Sequence, residues 1–157
     1  MYTPTDDDFK FMSYALRVAS IADKYFNEVP VGSVAVKDGK IIAAGLNRPI
    51  SAKDPTAHAE IIAIRRAAHR EGAYRIPEVD LYVTLEPCTM CIGAIIHARI
   101  RRLFYSAPDP KVGVISTGVY QVIEKGLNHK LEIYGGLLAE ESSSMLKDFF
   151  FRRRKFR

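Results

Sequence analysis

Cysteine is scarce in this chain: two among 157 residues, too few for a disulfide framework. The pair, Cys88 and Cys91, stands three residues apart, a spacing that reads as metal or redox chemistry in a reducing, cytoplasmic setting. Long apolar runs are missing too, so no membrane-spanning helix is expected. The first eight residues, Met1 to Asp8, have neither a basic n-region nor an apolar h-region, so a secretory signal is not expected. Internal repeats, low-complexity tracts and linkers are absent, which points to a single domain over residues 1–157. Apolar residues make up 48% and charged residues 26%, a balance that argues against disorder. The length suffices for a real core without disulfides or oligomer help.

Excess charge is also missing from most of the chain. The net charge is +5, and Arg152, Arg153, Arg154, Lys155 and Arg157 supply five of the 23 basic residues. The remaining bases balance the 18 acids. A basic end suits an anionic partner, nucleic acid first. It equally suits the negative end of a helix dipole, so composition leaves both readings open.

Thr5 followed by Asp6, Asp7 and Asp8 reads as a helix start. Met12, Ala15, Leu16, Ala19, Ala22 and Phe26 continue it at helical spacing, and Pro30 ends it. Two β-rich runs follow, Val31 to Val36 and Ile41 to Leu46, with Asp38-Gly39 as a hairpin turn between them. A loop from Asn47 to Thr56 leads to a helix from about Ala57 to His69. Leu81 to Leu85 reads as a buried strand, and Pro87 as the first position of a helix running to about His97. Arg102 to Tyr105 and Leu131 to Tyr134 are further strands, with an extra helical turn near Val119 to Glu124. The last helix, 139–157, pairs Met145 with Phe149 and Leu146 with Phe150. The order α-β-β-α-β-α-β-β-α predicts a three-layer α/β/α fold on a mixed sheet of about five strands. Its first pair is antiparallel and its later steps are parallel crossovers.

Two fragments carry chemistry. One is His58-Ala59-Glu60; the other is Glu86-Pro87-Cys88-Thr89-Met90-Cys91. Each stands where a loop or strand becomes a helix N-terminus. There the helix dipole should lower both thiol pKa values and favour the thiolates that bind metal. Two thiolates and an imidazole suit zinc and leave its fourth position to water, whose pKa falls to about 7. Glu60, two residues from His58, is badly placed as a ligand and better placed as a proton carrier beside that water. Either fragment alone is a weak signal. Cys-x-x-Cys also reads as a redox pair or as two small buried hydrophobes. Together they form an already known pattern, the His-x-Glu and Pro-Cys-x-x-Cys signature of zinc deaminases.

With that pattern in place the sequence resembles the cytidine deaminase-like superfamily, and within it the bacterial tRNA-specific adenosine deaminases. The resemblance runs from about Tyr14 to Arg154. Its landmarks include Glu28-Val29-Pro30-Val31-Gly32, Asn47-Arg48-Pro49-Ile50, Asn128-His129 and Asp148-Phe149-Phe150 followed by Arg153-Arg154. It implies a zinc-dependent deaminase domain over 1–157 that converts adenosine at the wobble position of a tRNA anticodon to inosine, releasing ammonia. The family's roles fall on His58, Cys88 and Cys91 as zinc ligands and on Glu60 as the catalytic base and acid. Glu60 would deliver a proton to N1 of the base as hydroxide attacks C6. The N–H groups around Ala59 and Cys88 are candidates to hold the reacting centre. Asn47 matches the residue that hydrogen-bonds the purine, and Asp109 matches a loop position near the substrate nucleotides. In the last helix, Phe149, Arg153 and Arg154 would meet the RNA, aromatics stacking on bases and arginines gripping phosphates. One zinc ion per subunit, a homodimer, no organic cofactor, no membrane and a cytoplasmic location complete what the resemblance implies.

Two departures stand out. Where the family has small residues this chain reads Gly113-Val114-Ile115-Ser116-Thr117, bulk that should reshape the loop beside the pocket or the subunit contact. Phe151 stands where some relatives carry a base. His69, His97 and His129 have no partner at ligand spacing and read as structural. Two alternatives remain. A deaminase of a free base or nucleotide, guanine or cytosine type, would share the zinc motif without needing the basic end. An RNA-binding module with a structural zinc would need Glu60 as fourth ligand.

Overall fold

A computed structural model describes residues 1–156; Arg157, the last of the five terminal bases, lies outside the described residues. Helix α1 (Asp6–Phe26) starts as its sequence dictates. The Thr5 hydroxyl accepts from the Asp8 N–H, and the Asp8 carboxylate accepts from the Thr5 N–H, a reciprocal capping box. The helix stops at Asn27, whose left-handed backbone closes the last turn before Pro30. Strands β1 (Gly32–Lys37) and β2 (Lys40–Leu46) form the expected antiparallel hairpin. Asp38 and Gly39 both take positive φ, 50° and 73°, as a type I′ turn requires.

There follow α2 (Ala59–Glu71), β3 (Asp80–Leu85), α3 (Thr89–His97) and β4 (Arg102–Ala107). The short α4 (Val119–Ile123), continued by a 3-10 turn, leads to β5 (Glu132–Gly135) and the last helix α5 (Ala139–Lys155). The strands lie in the order β2-β1-β3-β4-β5. β1 runs antiparallel to both of its neighbours, while β3, β4 and β5 are mutually parallel. β2 and β3 therefore run the same way on either side of β1, and α2 is the crossover between them.

The strands alternate between two cores. Val34, Val36, Tyr82 and Phe104 face Phe11, Met12, Ala15 and Val18 of α1, with Tyr82 and Phe104 stacked 4.5 Å apart. α5 packs beside α1 against β3 and β4. Ala35, Leu81, Val83 and Leu103 face the other way, onto Ala59, Ala63 and Ile64 of α2 and Ile92, Ile95 and Ile96 of α3. That gives the three layers and the mixed five-stranded sheet. Among the described residues no helix is long and apolar enough to cross a membrane.

Two helix starts differ from the expected ones, in the same way. α2 begins at Ala59 rather than Ala57, and α3 at Thr89 rather than Pro87. His58 (ψ 153°) and Cys88 (ψ 177°) are extended residues that cap these helices. Pro87 is held outside α3 because its carbonyl accepts from the Val114 N–H at 3.0 Å. That bond ties it to a neighbouring loop. The first turn of α2 in turn sits almost on the backbone of β2. A Cβ on Gly45 would lie 2.4 Å from the Ala59 carbonyl oxygen and 2.6 Å from the Ala63 nitrogen. Only glycine permits that approach, and it brings His58 and Glu60 down to the edge of the sheet.

Candidate active site

The carboxyl ends of β2 and β3 point toward the same edge of the sheet, and each feeds a loop that ends in a helix N-terminus. His58 caps α2 and Cys88 caps α3, and neither side chain spends itself on a capping hydrogen bond. Cys91 follows one turn into α3 and is buried. His58 Nδ1 lies 3.7 Å from Cys88 Sγ and 3.5 Å from Cys91 Sγ. All three donor atoms lie within 4.8 Å of one another, and no fourth His, Cys, Asp or Glu among the described residues joins them. One imidazole nitrogen and two sulfurs are the donor set of zinc, and three protein ligands leave a tetrahedral position open. The donors fit the metal, and Glu60 is not one of them, which removes the closed structural site.

The two thiols shift in opposite directions, and only Cys88 moves down as a helix start favours. Cys88 is driven down to about 3, first by the hydrogen bond that the Cys91 thiol donates to it and then by His58. Cys91 is pushed up by that same bond, by burial and by the Glu60 carboxyl. Two sulfurs this close share one proton, because a second negative charge beside the first is unfavourable. A cation among the donors is what lets both ionise. His58 is raised by its bond to Cys88. Glu60, the second residue of α2, is buried, and burial pushes its carboxyl up against opposing hydrogen bonds from Cys91 and its own N–H.

His58, Glu60 and Cys88 line a cavity of 190 Å³ whose other walls include Val29, Asn47, Pro49, Asp109 and Val112. This is well below the roughly 300–1,000 Å³ of pockets for drug-sized ligands, and it suits a single flat ring. Asn47 is fixed by its backbone N–H to the Val31 carbonyl and by its side-chain amide to the Val29 carbonyl. Asp109 Oδ1 accepts from the N–H groups of Lys111 and Val112, ordinary turn chemistry at the rim of the cavity. Ala59 is wholly buried at the first position of α2, its N–H at the positive end of that helix.

The α5 residues stand apart from this cavity, and one needs correction. Phe149 is 1% exposed, so it has no free face for a base. Its ring lies against Phe150 and under the guanidiniums of Arg152 and Arg153. The i,i+4 spacing sends it inward, and the exposed aromatics are Phe150, Phe151 and Phe156. Arg152 pairs with Asp23, and Arg153 donates to the Asn27 carbonyl, so both also tie α5 to the end of α1. Arg154 shares a separate cleft with Lys111, Lys147 and Phe150.

Two buried carboxylates that sequence reasoning assigned no role hold the loops that flank the cavity. Glu28, 1% exposed, accepts from the N–H groups of Ile50 and Ser51. Glu86, 3% exposed, accepts from the N–H groups of Asp109, Ile115 and Ser116 and from the Ser116 hydroxyl. The one available signal was a glutamate beside a proline-interrupted apolar stretch. The Val114 departure also resolves: its side chain joins the core instead of meeting solvent or a subunit contact. His129 bonds the Ile100 carbonyl, a structural role.

The family model for the cytidine and deoxycytidylate deaminase zinc-binding region matches residues 5–107. The tRNA-specific adenosine deaminase of Haemophilus influenzae is 49% identical over 149 residues, covering 94% of this chain and 86% of that protein. A structure from studies of A-to-I editing by tRNA:A34 deaminases at the wobble position superposes with a TM-score of 0.82 at 48% identity. It covers 87% of this chain and 99% of that one. The guanine deaminase of Bacillus subtilis superposes with a TM-score of 0.63 at 35% identity, covering 94% of each chain.

Proposed function

Because the chain belongs to the zinc-binding deaminase family and, within it, to the tRNA-specific adenosine deaminases, we propose roles for its residues in that reaction. The enzyme deaminates adenosine to inosine in tRNA by hydrolysis, releasing ammonia, and uses one Zn²⁺ per subunit. The whole of residues 1–157 serves as one deaminase domain. His58 through Nδ1, Cys88 and Cys91 hold the metal. Bound there, zinc supplies Lewis-acid activation of water at neutral pH.

Glu60 moves the protons. Its buried carboxylate takes one from the attacking water and delivers it to N1 of the base, then takes the proton of the hydroxyl newly bonded to C6 and passes it to the leaving amine as the C6–N bond breaks. A raised pKa suits a group that must both accept and donate near neutrality. The N–H groups of Ala59 and Cys88, at two helix starts, hold the reacting centre. Asn47 hydrogen-bonds the purine edge, and Asp109 borders the neighbouring nucleotides. The observation that supports this reading best is the convergence of His58, Cys88, Glu60 and Asn47 on one cavity of single-base size.

The anticodon stem-loop meets the protein outside that cavity. Lys111 carries the Arg154–Lys147 cleft up to the Asp109 loop, and Arg153 borders Asn27, two residues before Val29 of the cavity wall. Arg153 and Arg154 grip phosphates there. Phe150 and Phe156 replace the buried Phe149 as stacking surfaces. A base in an anticodon loop is already easily splayed, so extruding it costs little. The enzyme works as a homodimer in the cytoplasm, where its zinc thiolates stay reduced.

The test is an anticodon stem-loop with adenosine at the wobble position, incubated with the zinc-loaded protein. Inosine should form in the RNA while free adenosine, cytidine and guanine are left unchanged. Turnover of free guanine or cytidine without RNA product would move the protein to the free-base deaminases. Light scattering should report a mass twice that of the chain.

A further inference from the structure

We propose that Glu86 is a positioning residue for the deamination, clamping the substrate-facing loop 108–117 against the segment that carries Cys88; this rests on the reading of the cavity given above. A carboxylate at 3% exposure is costly to bury unless donors satisfy it. All four of its donors come from that one loop. Oε1 takes the Asp109 N–H at 3.0 Å and the Ser116 hydroxyl, and Oε2 takes the N–H groups of Ile115 and Ser116 at 2.9 Å each. One side chain thereby closes the start and the end of the loop into a ring.

The loop has no alternative fit around this group. A Cβ on Gly113 would lie 2.1 Å from Glu86 Oε2 and 2.5 Å from the Asp109 carbonyl oxygen, so the loop backbone packs closely around the carboxylate. The Val114 N–H bonds the Pro87 carbonyl, a second tie between the loop and the residue just before Cys88. Asp109, bonded to Glu86, and Val112, within the same ring, line the cavity. The position of that wall relative to the metal donors is therefore set through Glu86. Glu86 lines the cavity but is not one of the His58, Cys88 and Cys91 donors, so its effect should fall on substrate placement rather than on the metal.

The experiment compares wild type, Glu86→Gln and Ser116→Ala on the stem-loop substrate, with zinc content and melting temperature measured on the same preparations. An amide has one accepting oxygen, so it cannot accept from both sets of donors and at least one set is left unpaired. Glu86→Gln should raise KM about tenfold or more, with kcat within about threefold and zinc content unchanged. Ser116→Ala removes one donor and should raise KM in the same direction by a smaller factor. It also carries the test if Glu86→Gln fails to fold. An unchanged KM in the variants, a fall confined to kcat, or zinc loss in step with activity would each overturn the positioning role. If wild type forms no inosine, the functional reading fails and takes this inference with it; wild-type turnover beside an unaltered variant KM overturns the inference alone.

Discussion

Replacing Glu60 tests the chemistry most directly. The carboxylate is buried, hydrogen-bonded to Cys91 and its own backbone, and outside the three-donor cluster. Two substitutions separate its possible roles. Glu60→Gln keeps the volume and fills the same place in the cavity but cannot accept a proton. Glu60→Ala also removes the buried side chain. A positioned general acid or base contributes about 10²–10⁴ in rate, and on the proposed mechanism this one group serves both the attack and the departure of ammonia. The kcat of Glu60→Gln should fall at least about 10³-fold, or ~4 kcal/mol in the barrier at 1.36 kcal/mol per decade. Zinc content should stay at one per subunit, because His58, Cys88 and Cys91 are untouched. Inosine is quantified in the stem-loop after single-turnover incubation, and zinc by elemental analysis of the same sample. A kcat within tenfold of wild type would refute the proton-transfer role. Zinc lost in proportion to activity would make Glu60 a ligand instead.

Other predictions address the frame around the site. Burial alone would raise the Asp80 carboxyl, but Arg101 and Arg102 overcome it and hold it below the usual carboxylate range. A depressed folded-state pKa contributes stability above the unfolded value of about 4 that is lost as pH falls through the folded one. Asp80→Asn should therefore cost about 2–3 kcal/mol near neutrality, discounted for the exposure of Arg101, with the gap closing below about pH 4 in urea titrations. Gly45→Ala places a methyl against the first turn of α2 and should cost about 1–3 kcal/mol, or ~3–10 °C in melting temperature, with weaker zinc retention. An unchanged melting point would refute the close approach. Arg154→Ala should weaken stem-loop binding across RNA sequences and reduce the slope of log affinity against log salt by about 0.7–0.9, seen by fluorescence anisotropy at several salt concentrations. An unaltered slope would place Arg154 off the phosphates.

Much of this architecture is legible in local signals. Alternating strand and helix patterns, the Asp38-Gly39 turn and the Thr5 cap depend on residues a few positions apart, and they hold. The insertion of β1 between β2 and β3 does not, because strand order is decided by long-range packing. The four residues of the His-x-Glu and Cys-x-x-Cys fragments announce themselves by spacing. Glu28 and Glu86 do not, since their meaning lies in donors 22 to 30 positions further along the chain. The opposite shifts of the two thiols were not legible either, because helix ends act on each group singly whereas two neighbouring sulfurs titrate as one system. Phe149 shows the same limit: its spacing pointed inward while the resemblance pointed outward, and the packing follows the spacing.

His58 and Cys88 begin two helices without lending their side chains to the exposed N–H groups. Omitting such a cap usually costs about 1 kcal/mol per helix. The same side chains converge as metal donors, so a bound ion would join two helix starts that lack side-chain caps. Chelation should then unravel α2 and α3 from their first turns, with amide exchange accelerating at residues 59–61 and 89–91 before the sheet responds. Zinc held by these donors would then act as a folding ligand as well as supply the chemistry.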